Sequence, residues 1–432
     1  MTRQSSFYGW KLLAAYWIIL FANFGFPLYG ANIVNTDMAE ALHWDRTQLG
    51  LAYSIFQLMI GLPAPLISIL IARRGARFTT SIGCAIVAAG ALLMSSVVHT
   101  AWQTCIFFSV MMGLGAMTGG ILVGQTAVNR WFNRYKGLAI TIVHTGITFG
   151  GFVAARLLDK VIRASGGNWR AGWWLMAALS AVSAVLAIAF VRERPSDLGQ
   201  FPDGATAEEA ASFAARAESR DRVHKTSEEW TFADALRTPA LWLIVFSALG
   251  FSAGYPLFLA HGNAHLRDLG YTPAQAASSF SILVLSSLIG TLLFAAISDL
   301  IEPRIVWGIA SVFFAGGLLL ALHPTGDAGL YLYAVLMGSS YGICFSAMMV
   351  LPANYYGAKG YPPVIALMMV TGVTAAAVGS TLAGMVFDRL RTYSPLFYAV
   401  AALSILAAIV LLLMKPARKA ARGEAIAAAE SA

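Results

Sequence analysis

The sequence predicts an all-α membrane protein, with twelve transmembrane helices in two six-helix bundles related by a parallel pseudo-repeat. Three observations predict it. Apolar runs of about twenty residues recur along the chain, the length a bilayer core asks of each helix. Hydrophobic residues make up 58% of the 432 and charged residues 12%, about half the charged share of an ordinary soluble domain. The third observation is a self-match between the two halves at a constant spacing.

The runs fall at 11–34, 49–72, 79–98, 103–129, 137–160 and 171–191, then at 239–261, 276–298, 305–322, 329–354, 363–386 and 395–414. The first follows Tyr8-Gly9-Trp10-Lys11 directly and reads as a retained anchor, not a cleaved signal. Basic turns separate the second run from the third (Arg73 to Arg77) and the eighth from the ninth (Asp299 to Arg304). The layout is therefore a bundle over 1–191, a polar linker over 192–238, a second bundle over 239–414 and a tail over 415–432. In the linker, Thr226 and Glu229 have capping-box spacing ahead of Trp230 and Phe232. Residues 205–222 mix Ala, Glu and Arg as a solvated helix would. The Ala/Glu tail after Pro416 reads as mobile.

The net charge of +8 does not call for nucleic acid. With a cytoplasmic N-terminus, 21 of the 29 basic residues fall in cytoplasmic segments, which is the positive-inside asymmetry of a membrane protein. Both termini are then cytoplasmic. Cys84, Cys105 and Cys344 lie in or beside apolar runs without CxxC spacing, so they read as small buried hydrophobes, with no metal or disulfide framework.

The self-match runs over four helices. Gln48 with Gln275, Ser54 with Ser281, Arg77 with Arg304, Gly115 with Gly342, Ala139 with Ala366 and Val143 with Val370 are all 227 positions apart. Parallel repeats with a site at their interface are a transporter architecture. At this point the chain resembles the major facilitator superfamily, through the turn Arg73-Arg74-Gly75-Ala76-Arg77 and its second copy ending at Arg304. More narrowly it resembles the bacterial monocarboxylate and oxalate/formate branch. The residues that carry this are Trp44-Asp45-Arg46-Thr47, Arg130-Trp131-Phe132, Lys136-Gly137-Leu138-Ala139, Asn168-Trp169-Arg170, Arg194-Pro195-Ser196-Asp197-Leu198-Gly199, Pro202-Asp203-Gly204, and Gly384 with Asp388.

The resemblance implies alternating access between the halves, in a monomer of a bacterial inner membrane. It also implies cytoplasmic charge contacts from Arg73, Arg77, Asp299 and Arg304 that gate one conformation. Topology alone is the other reading of those charges. Two departures stand out. Ala72 occupies the usual acidic position of the first turn. Helix 8 lacks the Arg with which carriers of that branch meet a carboxylate; the aligned position is Gly290.

Ionisable groups inside hydrocarbon cost about 2.5–3.5 kcal/mol or more, so retained ones are functional candidates. On helix 5 a wheel at 100° per residue gathers Thr141, Thr145, Thr148, Phe152 and Asp159, flanked by His144 and Arg156. Ala139, Val143, Gly146, Gly150 and Ala154 share the opposite face. The first arc reads as cavity lining, the second as a packing seam. His144 either binds substrate and exchanges a proton, for which an ordinary imidazole pKa near 6.5 suits it, or only hydrogen-bonds a neighbouring helix. Arg156 either supplies the charge that helix 8 lacks or pairs with Asp159 at the rim. The remaining substrate-binding candidates are Tyr29, Asn32, Gln57, Gln125, Tyr255 and Tyr341, with Asn23, Asn129 and Asn354 as further polar residues inside the spans. His261 and His265 read as solvated loop residues beyond helix 7.

Gly113-Leu114-Gly115 with Gly119, Gly120 and Gly124 lies inside an apolar helix without a preceding strand. It therefore reads as close helix packing and not as a dinucleotide loop. Gly250 to Gly254 spells a nucleophile elbow without the strand–turn–helix setting, so no hydrolase and no cofactor is expected. The expected function is proton-coupled transport of a small organic anion, probing monocarboxylates and related carboxylates first. The rival is a carrier of a larger, weakly charged metabolite. A non-transporting membrane sensor is the less favoured class.

Overall fold

The computed structural model describes residues 7–132, 136–204, 223–224, 226, 228, 230–298 and 300–416. The expected helix over 205–222, the tail after 416, Asp299 and Glu229 lie outside them. Among the described residues twelve long helices follow in order. The first six are α1 (Gly9–Ala41), α2 (46–74, interrupted at Leu62 and Pro63), α3 (76–96), α4 (101–131), α5 (Lys136–Ala164) and α6 (Arg170–Phe190). The second six are α7 (Pro239–Asp268), α8 (Pro273–Ile297), α9 (Pro303–Leu322), α10 (Gly326–Gly357), α11 (Pro363–Leu390) and α12 (Ser394–Leu413). Ten stretches of these are individually long and apolar enough to cross a bilayer, 64–96 counting as one. The chain is a multi-pass membrane protein. The start of α1 and the end of α12 lie on one face, called here the terminal face; the other is the far face.

Two glycines turn the chain where the backbone would otherwise run on as helix. Gly75 has φ +83 and ends α2, and Gly357 has φ +62 and ends α10. Only glycine enters that left-handed region without a Cβ penalty.

The repeat is visible in where helices begin. Arg46 opens α2 and Pro273 opens α8; Lys136 opens α5 and Pro363 opens α11. Each pair keeps the spacing of 227 that separates Asn32 from Leu259, whose side-chain amide and carbonyl are hydrogen-bonded. Arg267 Nη1 likewise lies 3.2 Å from Glu40 Oε2 at that spacing. Residues that touch their own repeat mates must lie on the pseudo-twofold axis, so the axis runs between α1 and α7.

Close helix contacts use glycine where backbones meet. A Cβ on Gly146 would stand 2.6 Å from the Trp17 carbonyl oxygen, and one on Gly25 2.5 Å from that of Ile147. Thus α5 lies directly on α1, through the small face expected for it. Gly83, Gly115 and Gly119 bring α3 onto α4 in the same way, the packing expected for the glycine-rich run. Gly120 then interrupts α4 with φ −105 and ψ −135.

Two expectations need correction. The α7 helix does not stop at 261 but continues to Asp268, with His261 and His265 buried inside it. Their Nε2 atoms lie 2.9 Å from the Ser380 and Ala321 carbonyl oxygens, which satisfies polar groups that burial would otherwise leave bare. The linker cap expected of Thr226 turns on Glu229, which lies outside the described residues. Thr231 and Asp234 form the capping box, ahead of Phe232–Leu236, while the Thr226 hydroxyl accepts from Trp230 Nε1 at 3.2 Å. Gly290 is not a cavity position. It faces α10 so closely that a Cβ would collide with the Ser339 backbone.

Candidate functional site

The two halves are tied together on the far face. Arg46 Nη2 pairs with Asp268 at 3.0 Å, Arg267 Nη1 pairs with Asp37 at 2.6 Å, and the Ser54 hydroxyl donates to the Ala377 carbonyl at 2.6 Å. Asp388 of α11 accepts from the backbone N–H groups of Arg46 at 3.1 Å and Thr47 at 2.8 Å. On the terminal face the hydrogen bonds between described residues stay within one half. This state is sealed on the far side.

Beneath the seal lies an aromatic cluster drawn from four helices. Tyr255 and Tyr341 stack at 3.6 Å with ring planes 6° apart, and Phe251 meets Tyr341 edge-on at 5.9 Å. Tyr53 of α2, which no motif or spacing singles out in the sequence, donates its hydroxyl to the Leu28 carbonyl at 2.5 Å. Tyr29 rests its ring on Gly151 of α5. The Tyr29 hydroxyl lies close to that of Tyr255, with Tyr53 and Tyr341 nearby. Of the predicted site residues, the structure therefore brings Tyr29, Tyr255 and Tyr341 together. Asn32 sits just beyond them in the seal. Gln57 is half-buried on α2 and has no hydrogen-bond partner among the described residues.

On α5 the polar arc borders a more exposed stripe. Phe149 and Leu157 are 40% and 36% exposed, whereas His144, Thr145, Thr148, Phe152 and Arg156 are half-buried. His144 Nε2 lies 2.8 Å from Gln125 Nε2 of α4. The amide is a donor there, so the imidazole accepts and carries its own proton on Nδ1 when neutral. Thr145 is occupied by Trp17 Nε1 at 3.0 Å. Thr148, one turn on from His144, has no partner among the described residues. The Thr141 and Asn129 side chains lie outside them.

Arg156 does not pair with Asp159. Asp159 turns one helical turn the other way to Arg163, at 2.5 Å. The Arg156 guanidinium lies 5.1 Å from the Phe152 ring centroid, with no carboxylate in ion-pair range among the described residues. Tyr29 is level with Gly151, so His144 lies about 10 Å nearer the terminal face and Arg156 about 7 Å nearer the far face. The two stay too far apart for one small anion to touch both at once.

The basic turns hold each half together from inside. Glu193, after α6, accepts from the backbone N–H groups of Ala76 at 2.9 Å and Arg77 at 2.8 Å, and pairs with Arg130 at 3.1 Å. This carboxylate caps the N-terminus of α3 and stands where Ala72 leaves the turn without an acid. The Arg73 and Arg77 side chains are exposed, and Arg304 donates to the Met414 carbonyl. A recess of about 640 Å³ on the terminal face lies by Arg130, Arg194 and Gln200, away from the tyrosine cluster.

The family model described as Major Facilitator Superfamily matches residues 12–265 and again 262–431. The chain belongs to the major facilitator superfamily. That is a family of membrane transporters, not of enzymes, and it agrees with two bundles meeting at a pseudo-twofold axis. The 3-(3-hydroxy-phenyl)propionate transporter of Escherichia coli (strain K12) is 24% identical over 373 residues, 83% of this chain and 83% of that one. Monocarboxylate transporter 13 of Bos taurus is 27% identical over 281 residues, 62% of this chain and 58% of the bovine one. The matched stretch thus falls short of two thirds of the bovine protein. Among solved structures, a bacterial homologue of the human lysosomal transporter Spinster superposes with a TM-score of 0.73, covering 95% of this chain and 97% of that chain at 14% identity. That likeness is one of fold.

Proposed function

We propose that the chain is a secondary carrier of small organic anions, carboxylates foremost, working by alternating access between its halves. Tyr29, Asn32, Gln57, Gln125, His144, Thr148, Arg156, Tyr255 and Tyr341 line the path, and His144 exchanges the coupling proton. One observation carries the reading: Arg156 is a half-buried cation whose neighbouring carboxylate, Asp159, is already taken by Arg163. A cation kept inside a membrane protein without an acidic partner is a functional candidate, and a substrate carboxylate would complete it. The two transporter relatives named above, a monocarboxylate and an arylpropionate carrier, support the same class.

With the basic excess turned inward, the terminal face is cytoplasmic, in a bacterial inner membrane, and the structure is sealed outward. Arg73, Arg77, Asp299 and Arg304 then gate one conformation of the cycle at the inner rim. Purified protein in proteoliposomes should take up labelled monocarboxylates or phenylpropionates faster under an inwardly acidifying pH gradient. Uptake indifferent to the gradient removes the proton, and no binding of any acid in a stability screen removes the anion. The aromatic stack of Tyr255, Tyr341 and Phe251 favours a second reading, a larger weakly charged metabolite, which the same screen separates by including neutral aromatics and amines.

A further inference from the structure

The N-terminus of α2 is capped by the wrong half of the molecule. Asp45 occupies its N-cap position with the extended backbone a cap requires, φ −70 and ψ 154, yet its side chain caps nothing. Gln48 stands three residues on, the spacing of a capping box. The repeat mate of this helix uses that arrangement: Thr272 and Gln275 cap α8 within the segment. At α2 the job is done from across the interface. Asp388 of α11 takes the N–H groups of Arg46 and Thr47 at 3.1 and 2.8 Å, and the Thr47 hydroxyl as well. Gly384, one turn earlier, makes room, since a Cβ there would stand 2.5 Å from Thr47 Cα. Asp45 meanwhile is exposed and lines a cleft of about 360 Å³ on the far face.

From this we infer that Asp388 and Asp45 exchange as caps of α2 during transport. While the far face is sealed, Asp388 holds the helix end and ties the halves together. When α11 draws away, the Arg46 and Thr47 N–H groups would be left bare at the helix terminus. The Asp45 carboxylate then rotates in from solvent to accept from Thr47 N–H or Gln48 N–H. The exchange keeps one carboxylate on the positive end of the helix dipole in both states, so opening costs less than breaking the latch outright. The positioning residues are these two aspartates; α8, capped within its own segment, needs no such exchange. The inference rests on the alternating-access reading above.

The test uses the full chain with Cys84, Cys105 and Cys344 replaced by Ala and one reporter, Ala377→Cys, behind the Ser54 contact. Labelling by a membrane-impermeant maleimide from the far face reads the open population. Asp388→Ala should raise it about five-fold, the worth of one helix cap. Asp45→Ala should lower it by a similar factor, because only the open state loses its cap. Thr47→Val, a milder cut at the Asp388 contact, should act in the direction of Asp388→Ala if that variant folds poorly. Thr272→Ala should lower thermal stability without moving the labelling. Asp45→Ala labelling at or above the parent rate overturns the exchange, as does a Thr272→Ala shift as large as that of Asp388→Ala. A reporter that never labels in parent or variant overturns the alternating-access reading, and the exchange with it.

Discussion

Asn32 and Leu259 are repeat mates that touch: the side-chain amide of one donates to the carbonyl of the other across the pseudo-twofold axis. Their contact sits in a polar seam that burial leaves only partly satisfied. Asn263, four residues beyond Leu259 on α7, is fully buried, and neither of its amide atoms has a partner among the described residues. A buried amide left bare costs about 1–3 kcal/mol. The same amide would be hydrated once the far face opens.

Replacing Asn263 with Leu should therefore stabilise the sealed state. The expected result is a higher melting temperature together with slower turnover, by about five- to a hundred-fold if the whole 1–3 kcal/mol is added to opening. Thermal unfolding and initial-rate uptake on the same preparation check it. A lower melting temperature with unchanged turnover would mean the amide is satisfied in a way that its neighbours do not reveal.

The seam between α1 and α5 gives a cleaner sign. A Cβ on Gly146 would lie 2.6 Å from the Trp17 carbonyl oxygen, a backbone atom that cannot swing aside. Gly146→Ala should lose about 1–3 kcal/mol through overpacking. Gly316, on α9, has nothing within 4 Å of the same position, so Gly316→Ala should be neutral or gain up to about 1 kcal/mol of helix propensity. Chemical or thermal unfolding of the pair decides it, and equal effects would show that the glycine contact with α1 is loose.

Local pattern carried most of the architecture and little of the interface. Apolar run length, the 227-residue spacing and the glycine face of α5 are short-range signals, and the helices and their close contacts follow from them. The contacts that seal the far face join residues hundreds of positions apart. Nothing near Asp388 marks it as a cap for Arg46 and Thr47, and nothing near Glu193 marks it as the acid for Ala76 and Arg77. His261 and His265 misled because a polar residue after an apolar run resembles a loop. Here the partners are carbonyls of α11 and α9, which periodicity cannot see. Asp159 and Arg156 show the same limit, since two partners at helical spacing competed for one carboxylate and Arg163 holds it.

His144 leads to a prediction about coupling. Its Nε2 accepts from Gln125, an arrangement that suits the neutral ring; the protonated ring would need the amide to turn its oxygen inward. His144→Gln keeps a hydrogen-bonding partner for Gln125 but removes titration near neutral pH. Uptake driven by a pH gradient should fall at least ten-fold, an order typical of a lost proton-transfer group, and the pH profile should flatten between about 5 and 8. Counterflow exchange of labelled for unlabelled substrate should persist. Gradient-driven uptake at the parent rate would return His144 to a structural role.

Arg156 and Arg163 offer the sharpest contrast, because they lie two turns apart on one helix and differ in what they hold. Arg163 is paired with Asp159 at i,i+4. With Arg163 partly exposed, that pair is worth only a few tenths of a kcal/mol. Arg163→Ala should therefore leave the substrate KM within about two-fold. Arg156 has only the Phe152 ring beside it among the described residues, and a charge-assisted bond to a substrate carboxylate is worth about 1.5–3 kcal/mol. Arg156→Ala should raise KM by about ten- to a hundred-fold for carboxylates, with Arg156→Lys in between, since the ammonium keeps the charge and loses the fork. The attempt to move that charge to α8 should fail for a steric reason. Gly290→Arg would drive a side chain into the Ser339 backbone, so it should unfold the bundle instead of restoring a carboxylate site to an Arg156→Ala background. Uptake kinetics in the four variants measure these outcomes, and a folded Gly290→Arg, Arg156→Ala double variant with parent KM would refute the placement of the substrate cation on α5.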